Sequence, residues 1–114
     1  MSERIKKIND LIRDILAKIV EEDIGLPIGI FCTIAEVDTA PDLKQAKVWM
    51  GVFPSEKREE ALAILNKNIY EIQGRLNRES KLRYTPRISF SLDKSAENVT
   101  RVEELLKQIK TSKD

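Results

Sequence analysis

Apolar residues recur at helical spacing near the start of the chain. They are separated by steps of one, three and four, which is the pattern of one buried helix face. The members of this face are Ile5, Ile8, Leu11, Ile12, Ile15, Leu16, Ile19 and Val20. The pattern predicts an amphipathic helix that ends near Gly25 and Pro27.

Two strand-like segments follow this helix. Residues 28–37 are rich in β-branched and aromatic side chains, and both alternating faces are apolar, which predicts a strand in the centre of a sheet. Residues 45–53 alternate, with Val48 on one face and Lys47 and Trp49 on the other. The short polar connection between the two segments favours an antiparallel pair.

A long helical pattern occupies residues 56–80, with Ser55 as its expected N-cap and Pro86 as its expected stop. Gly74 lies inside the pattern, where glycine costs about 1 kcal/mol relative to alanine and favours a kink. The periodicity alone leaves open whether this region is one bent helix or two.

Residues 88–92 alternate as a third strand, and Ser95 is placed to cap a last helix. The element order is therefore α-β-β-α(α)-β-α, which predicts an α+β two-layer sandwich: a three-stranded sheet with helices packed on one face. We expect one domain over residues 1–110 and a short frayed tail over 111–114.

Composition narrows the possible functions. The 114 residues include no histidine and one cysteine, Cys32, so the usual general base, the usual zinc ligand and an internal disulfide are excluded. We therefore expect no enzyme, no cofactor and no metal. The first residues do not resemble a signal peptide and no apolar run would span a bilayer, so we expect a cytoplasmic monomer without membrane contact.

Positive charge is concentrated in residues 66–87, which contain six basic and two acidic side chains. This segment has a net charge of +4, whereas the whole chain has a net charge of +1. Arginines suit bidentate phosphate contacts, a tyrosine can stack on an exposed base, and Asn68, Gln73 and Asn77 can add neutral hydrogen bonds. The candidate RNA-binding residues are Lys67, Arg75, Asn77, Arg78, Lys81, Arg83, Tyr84 and Arg87. A solvated helix face would show the same residues, and the pattern leaves that alternative open.

Three strings in this order resemble the ribosome-binding factor A family: "CTIAEVDTAPDL", "DLKQAKVWM" and "LRYTPRISFSLDKS". The resemblance covers nearly the whole chain and implies a type II KH-like fold. It also implies binding to the small ribosomal subunit and its ribosomal RNA during late maturation and rRNA processing. Release helped by an assembly GTPase and importance in the cold are further implications of the resemblance.

One position departs from the family pattern. The family places a kinked Ala-x-Gly between its two central helices, and the matching residues here are Asn68, Ile69 and Tyr70. We therefore expect a bent or continuous helix. The leading hypothesis is a non-enzymatic RNA-binding assembly factor. The alternative is a protein-interaction adaptor that uses the sheet face around Trp49 or a sheet edge.

Overall fold

The computed structural model describes residues 3–92. The helices and strands are α1 (Glu3–Asp23), β1 (Phe31–Thr39), β2 (Gln45–Phe53), α2 (Arg58–Lys67), α3 (Ile69–Ser80) and β3 (Arg87–Leu92), with a short 3-10 turn at Ser55–Lys57. The order agrees with the predicted one as far as β3. The expected last helix, the domain end at residue 110 and the tail lie outside the described residues.

The sheet is mixed, and β2 is its central strand. β1 and β2 pair antiparallel, as predicted, whereas β2 and β3 pair parallel. Val48 and Met50 are fully buried under the helices, and the side chains that alternate with them lie on the opposite, open face. The predicted two-layer α+β architecture is therefore confirmed.

The prediction that the first strand is central was wrong, because β1 is an edge strand. A β-bulge interrupts its pairing between Ile34 and Glu36, so that Ala35 has no partner of its own in β2. The extra residue changes which alternate side chains face the helices. Ile34 packs inward before the bulge and Val37 packs inward after it. Apolar residues occur at both odd and even positions of this segment because the bulge shifts the inward-facing positions by one residue.

The region between β2 and β3 contains two helices, and the break falls at Asn68. The Asn68 backbone N–H donates to the carbonyl groups of Ile64 and Leu65 at 3.2 and 3.1 Å, and its side-chain Nδ2 donates to Ile64 O at 2.8 Å. The backbone bond to Ile64 is the regular helical one, and the bond to Leu65 and the side-chain bond to Ile64 are the additional local bonds that asparagine offers at the helix end. The expected bent or continuous helix was wrong, and α3 runs through Gly74 without a break.

The other expected helix ends also differ. Ser55 begins the 3-10 turn, and α2 starts after Lys57 without a side-chain cap. Helix α3 ends at Ser80 because Lys81 adopts a left-handed conformation with φ 56°, well before Pro86. None of the helices in residues 3–92 is both long enough and apolar enough to cross a membrane.

Candidate nucleic-acid interface

Helix α3 has one buried side and two flanks that are at least partly exposed. Ile72, Leu76 and Ser80 lie against the core at steps of four. Because successive residues turn by about 100°, Arg75 and Asn77 lie on opposite flanks of the helix. The two flanks have different partners.

The Arg75 flank faces α1. The Arg75 guanidinium contacts Glu22 at 2.6 Å, Asp23 at 2.8 Å and also Glu79, and only 17% of its side chain is exposed. The bond to Glu22, followed by those to Asp23 and Glu79, raises the pKa of Arg75 above its ordinary value. We call these four residues the Arg75 cluster. Its arginine charge is already balanced by carboxylates.

Glu79 extends the cluster to a second cation. Its carboxylate lies 3.7 Å from Lys18 Nζ in α1. The hydrogen bond from Arg75 is the main reason that the pKa of Glu79 is lowered, and burial opposes that shift. The Arg75 cluster therefore ties the C-terminal part of α1 to α3.

On the other flank, the Gln73 amide supports the start of β3. Its Oε1 accepts the Ile88 N–H at 2.9 Å, and its Nε2 donates to Pro86 O at 3.1 Å. Nε2 also donates to Asn77 Oδ1 at 2.9 Å. One side chain therefore fixes both the entry to β3 and the orientation of Asn77.

The loop between α3 and β3 is held at its start as well. Ser80 Oγ lies 2.9 Å from Thr85 Oγ1 and accepts the Leu82 N–H at 3.3 Å. Together with the Gln73 bonds, these contacts hold residues 81–86 in one place beside α3. A held loop presents its charged side chains with less loss of conformational entropy on binding.

A cleft of about 320 Å³ opens between this loop and α3, lined by Asn77, Leu82, Arg83, Tyr84 and Thr85. We call it the α3 cleft. The Arg83 guanidinium carbon lies 5.4 Å from the centre of the Tyr84 ring, at cation–π distance. Tyr84 is 73% exposed, so its ring is available to a flat ligand.

The structure brings together five of the eight predicted residues. Asn77, Arg83 and Tyr84 line the α3 cleft, and Arg78 and Lys81 are exposed in the last turn of α3 and at its cap. None of the three cations forms a salt bridge within residues 3–92. This end of α3 therefore carries unbalanced positive charge.

The other three predicted residues lie elsewhere. Arg75 belongs to the cluster on the opposite flank, and Lys67 ends α2, before the start of α3. Arg87 pairs with Gln45 at the start of β3 and is exposed on the open face of the sheet. The charge count grouped these residues because they are close in sequence. In the structure they lie apart, because they belong to a different helix, to the opposite flank of α3 and to the open face of the sheet.

The sequence model of the protein family "Ribosome-binding factor A" matches residues 4–106 of this chain. The chain belongs to the ribosome-binding factor A family. A relative of that name from Akkermansia muciniphila is 37% identical over 109 residues, which cover 96% of this chain and 86% of the relative. The family resemblance of the sequence is confirmed.

Two known structures of the family, one of them a fitted homology model, share the fold. The solution NMR structure of a Thermotoga maritima putative ribosome-binding factor A has a TM-score of 0.70 and 24% identity, covering 82% of this chain and 91% of its own. A Thermus thermophilus homology model, fitted into a cryo-EM map of a 30S–ribosome-binding factor A complex, has a TM-score of 0.64 and 22% identity, covering 75% and 91%. The KH-like fold is thereby confirmed.

An apolar patch lies on the open face of the sheet, which is the face around Trp49 that the sequence analysis named. Phe31 and Phe53 are direct cross-strand partners, exposed by 66% and 69%. On the same face, Lys47 Nζ lies 5.0 Å from the centre of the Trp49 ring. Alternation along β2 placed Phe53 on this face together with Lys47 and Trp49, but the position of Phe31 was missed because it depends on the strand register.

Cys32 carries no reactive signature. Its thiol is half-buried, and burial raises its pKa to about 11, so the thiolate is scarce at neutral pH. In the part of the chain that the structure describes, no three histidine, cysteine or acidic side chains are placed to hold a metal ion.

Proposed function

We propose that the protein is a non-enzymatic assembly factor that binds the small ribosomal subunit through ribosomal RNA and assists its late maturation and rRNA processing. The observation that carries the proposal is the unbalanced positive charge around the α3 cleft in a member of the ribosome-binding factor A family. A relative of similar fold was fitted into a map of a 30S complex. The proposed place of action is the cytoplasm, where the protein acts as a monomer.

Electrostatics would supply most of the affinity. Five basic side chains of the 66–87 segment have no carboxylate partner within residues 3–92: Lys67, Arg78, Lys81, Arg83 and Arg87. If each neutralises one phosphate, the logarithm of the binding constant falls against the logarithm of salt with a slope of roughly −3.5 on single strands. The Arg75 cluster adds little to this slope.

The proposal is tested by co-sedimentation with immature and mature small subunits at two salt concentrations. The triple variant Arg78→Glu, Lys81→Glu, Arg83→Glu should bind at least about 100-fold more weakly near 0.1 M salt, because three phosphate contacts are lost. Its matched control, Arg4→Glu, Lys6→Glu, Lys7→Glu, makes the same charge change on exposed positions of α1.

Unchanged sedimentation of the Arg78, Lys81, Arg83 variant, with its fold verified by circular dichroism, would contradict this assignment of the interface. Equal weakening in both triple variants would mean that net charge matters and the site does not. Preferential binding to immature subunits would favour an assembly role over a stable ribosomal one. Its release by an assembly GTPase is measurable in the same assay.

A second candidate function is supported by the exposed Phe31–Phe53 pair on the open face. Paired aromatic side chains at the end of a sheet suit a protein partner. This adaptor function predicts a protein that co-purifies after nuclease treatment and is lost in the double variant Phe31→Ser, Phe53→Ser. A complex that needs RNA and ignores these two substitutions would rule the adaptor out.

A further inference from the structure

The hydrogen-bonding polarity of the α3 cleft is set by the backbone next to it. The Ile88 N–H can only donate, so the atom of Gln73 that faces it must be Oε1. Pro86 O can only accept, so the atom that faces it must be Nε2. The Gln73 amide therefore has one allowed orientation.

That orientation determines what Asn77 offers to a ligand. The second proton of Gln73 Nε2 is donated to Asn77 Oδ1 at 2.9 Å and takes up one of the two acceptor positions of that oxygen. The Asn77 amino group remains for a ligand. Gln73 is thus a positioning residue, since it acts only through Asn77.

Arg83 supplies donors at the second wall of the cleft. A guanidinium group has five N–H donors and no acceptor. The guanidinium carbon lies at cation–π distance from the Tyr84 ring, and no hydrogen bond or salt bridge within residues 3–92 uses the Arg83 donors. Asn77 and Arg83 therefore line the cleft with donors, and a matching ligand edge must carry acceptors.

Among the major-groove edges of the bases, one presents two adjacent acceptors. Guanine offers O6 and N7 side by side, whereas adenine places its N6 amino donor beside N7 and cytosine offers an amino donor. This edge lies in the deep, narrow major groove of duplex RNA, where side chains do not reach it. Of the two purines, an unpaired guanine is therefore the base whose edge fits.

We propose that the α3 cleft binds an unpaired guanine of RNA in preference to adenine, with Asn77 and Arg83 as the specificity-determining residues. The guanine edge receives hydrogen bonds from Asn77 Nδ2 and from the Arg83 guanidinium. The exposed Tyr84 ring lies against the plane formed by the guanine and the guanidinium. This inference rests on the proposed RNA binding and adds a base preference to it.

The first test measures binding of the full chain to short labelled oligouridines that carry one central guanine or one central adenine. The expected preference for guanine is about tenfold. Inosine keeps both acceptors and should bind like guanine, whereas 7-deazaguanine lacks N7 and should lose most of the advantage. Probes are compared at one salt concentration.

The outcomes separate the base preference from RNA binding itself. Equal, salt-dependent binding to all probes would overturn the guanine subsite and assign the cleft to a phosphate, while the proposed function would stand. Failure to bind any probe or any small subunit at low salt would overturn the proposed function and, with it, the subsite.

The second test reverses the polarity of Asn77. In Asn77→Asp the carboxylate still accepts from Gln73 but presents an acceptor to the cleft, so the guanine-to-adenine ratio should fall about tenfold. Asn66→Asp adds the same charge at an exposed position of α2 and should leave the ratio unchanged. A ratio unaffected by Asn77→Asp would overturn the role of Asn77.

Arg83→Lys provides a variant that keeps the charge. Lysine loses the planar fork that bonds two acceptors at once, but it still attracts phosphate. The expected result is loss of most of the guanine preference with an unchanged salt slope. A retained preference in this variant would overturn the role of Arg83, whether or not Asn77→Asp folds.

Discussion

The two flanks of α3 carry arginines with opposite roles. On one flank, Arg75 is 17% exposed and is surrounded by Glu22, Asp23 and Glu79. On the other flank, Arg83 has a tyrosine ring for a partner and no carboxylate within residues 3–92. One arginine is a part of the fold, and the other is available to a ligand.

This difference shows why a charge count along the chain overstates a binding surface. Arg75 contributed to the net charge of +4 in the 66–87 segment, but two of the carboxylates that balance it come from the end of α1. The functional charge is the part that tertiary contacts leave unbalanced.

The largest expected difference between single variants concerns two exposed tyrosines. Tyr84→Ala should weaken RNA binding about tenfold, since a base–aromatic stack contributes about 1–3 kcal/mol. Tyr70, 89% exposed at the start of α3, is its matched control, and Tyr70→Ala should bind like the wild type. Fluorescence anisotropy with a single-stranded RNA measures both. Equal losses would remove Tyr84 from the interface.

A smaller effect separates the two arginines directly. Arg83→Met should weaken RNA binding about fivefold near 0.1 M salt and reduce the salt slope by about 0.7, because one cation beside the RNA backbone is lost. Arg75→Met should leave the slope unchanged. It should instead lower the thermal unfolding midpoint, because three carboxylates are left facing one another without their cation.

Measuring the salt slope and the unfolding midpoint of both variants tests whether the two arginines have different roles. A reduced salt slope in Arg75→Met, at a temperature where the variant is folded, would place Arg75 at the RNA interface. A lowered unfolding midpoint in Arg83→Met would assign Arg83 a structural role.

The smallest expected effect is the acid dependence of stability. The pKa of Glu79 is lowered in the folded protein, so its contribution is present above its ordinary pKa and is lost as the pH falls through the lowered one. Glu79→Gln should therefore flatten the fall in stability below about pH 4, as measured by urea unfolding. Arg83→Met should leave that part of the profile unchanged. An unchanged profile in Glu79→Gln would mean that the cluster contributes little.

Local patterns predicted most of the elements but not every boundary. β2 was predicted at its observed limits of residues 45 and 53, because its alternation is regular and both flanks are polar or proline. The position of β1 in the sheet could not be inferred, since the bulge at Ala35 changes the phase of alternation. The break at Asn68 was missed because glycine was expected to mark it.

The sequence predicted which residues form the candidate site, but it predicted only part of their arrangement in space. Asn77, Arg83 and Tyr84 were chosen for their chemistry, and the structure places all three around one cleft. The separation of Arg75 from them follows from a turn of about 200° along α3. The orientation of Asn77 depends on Gln73 and on backbone groups of residues 86 and 88.

By itself, the sequence determined the order of the described elements, the family and the abundance of cations after residue 66, because each of these depends on local spacing or on residue identity. Only the tertiary structure decided which cations remain unbalanced within residues 3–92, which strand is central and which atom of Asn77 bonds to Gln73. These properties depend on partners distant in the chain, such as Glu22 for Arg75 and Ile88 for Gln73. Such pairings leave no periodic signal in the sequence.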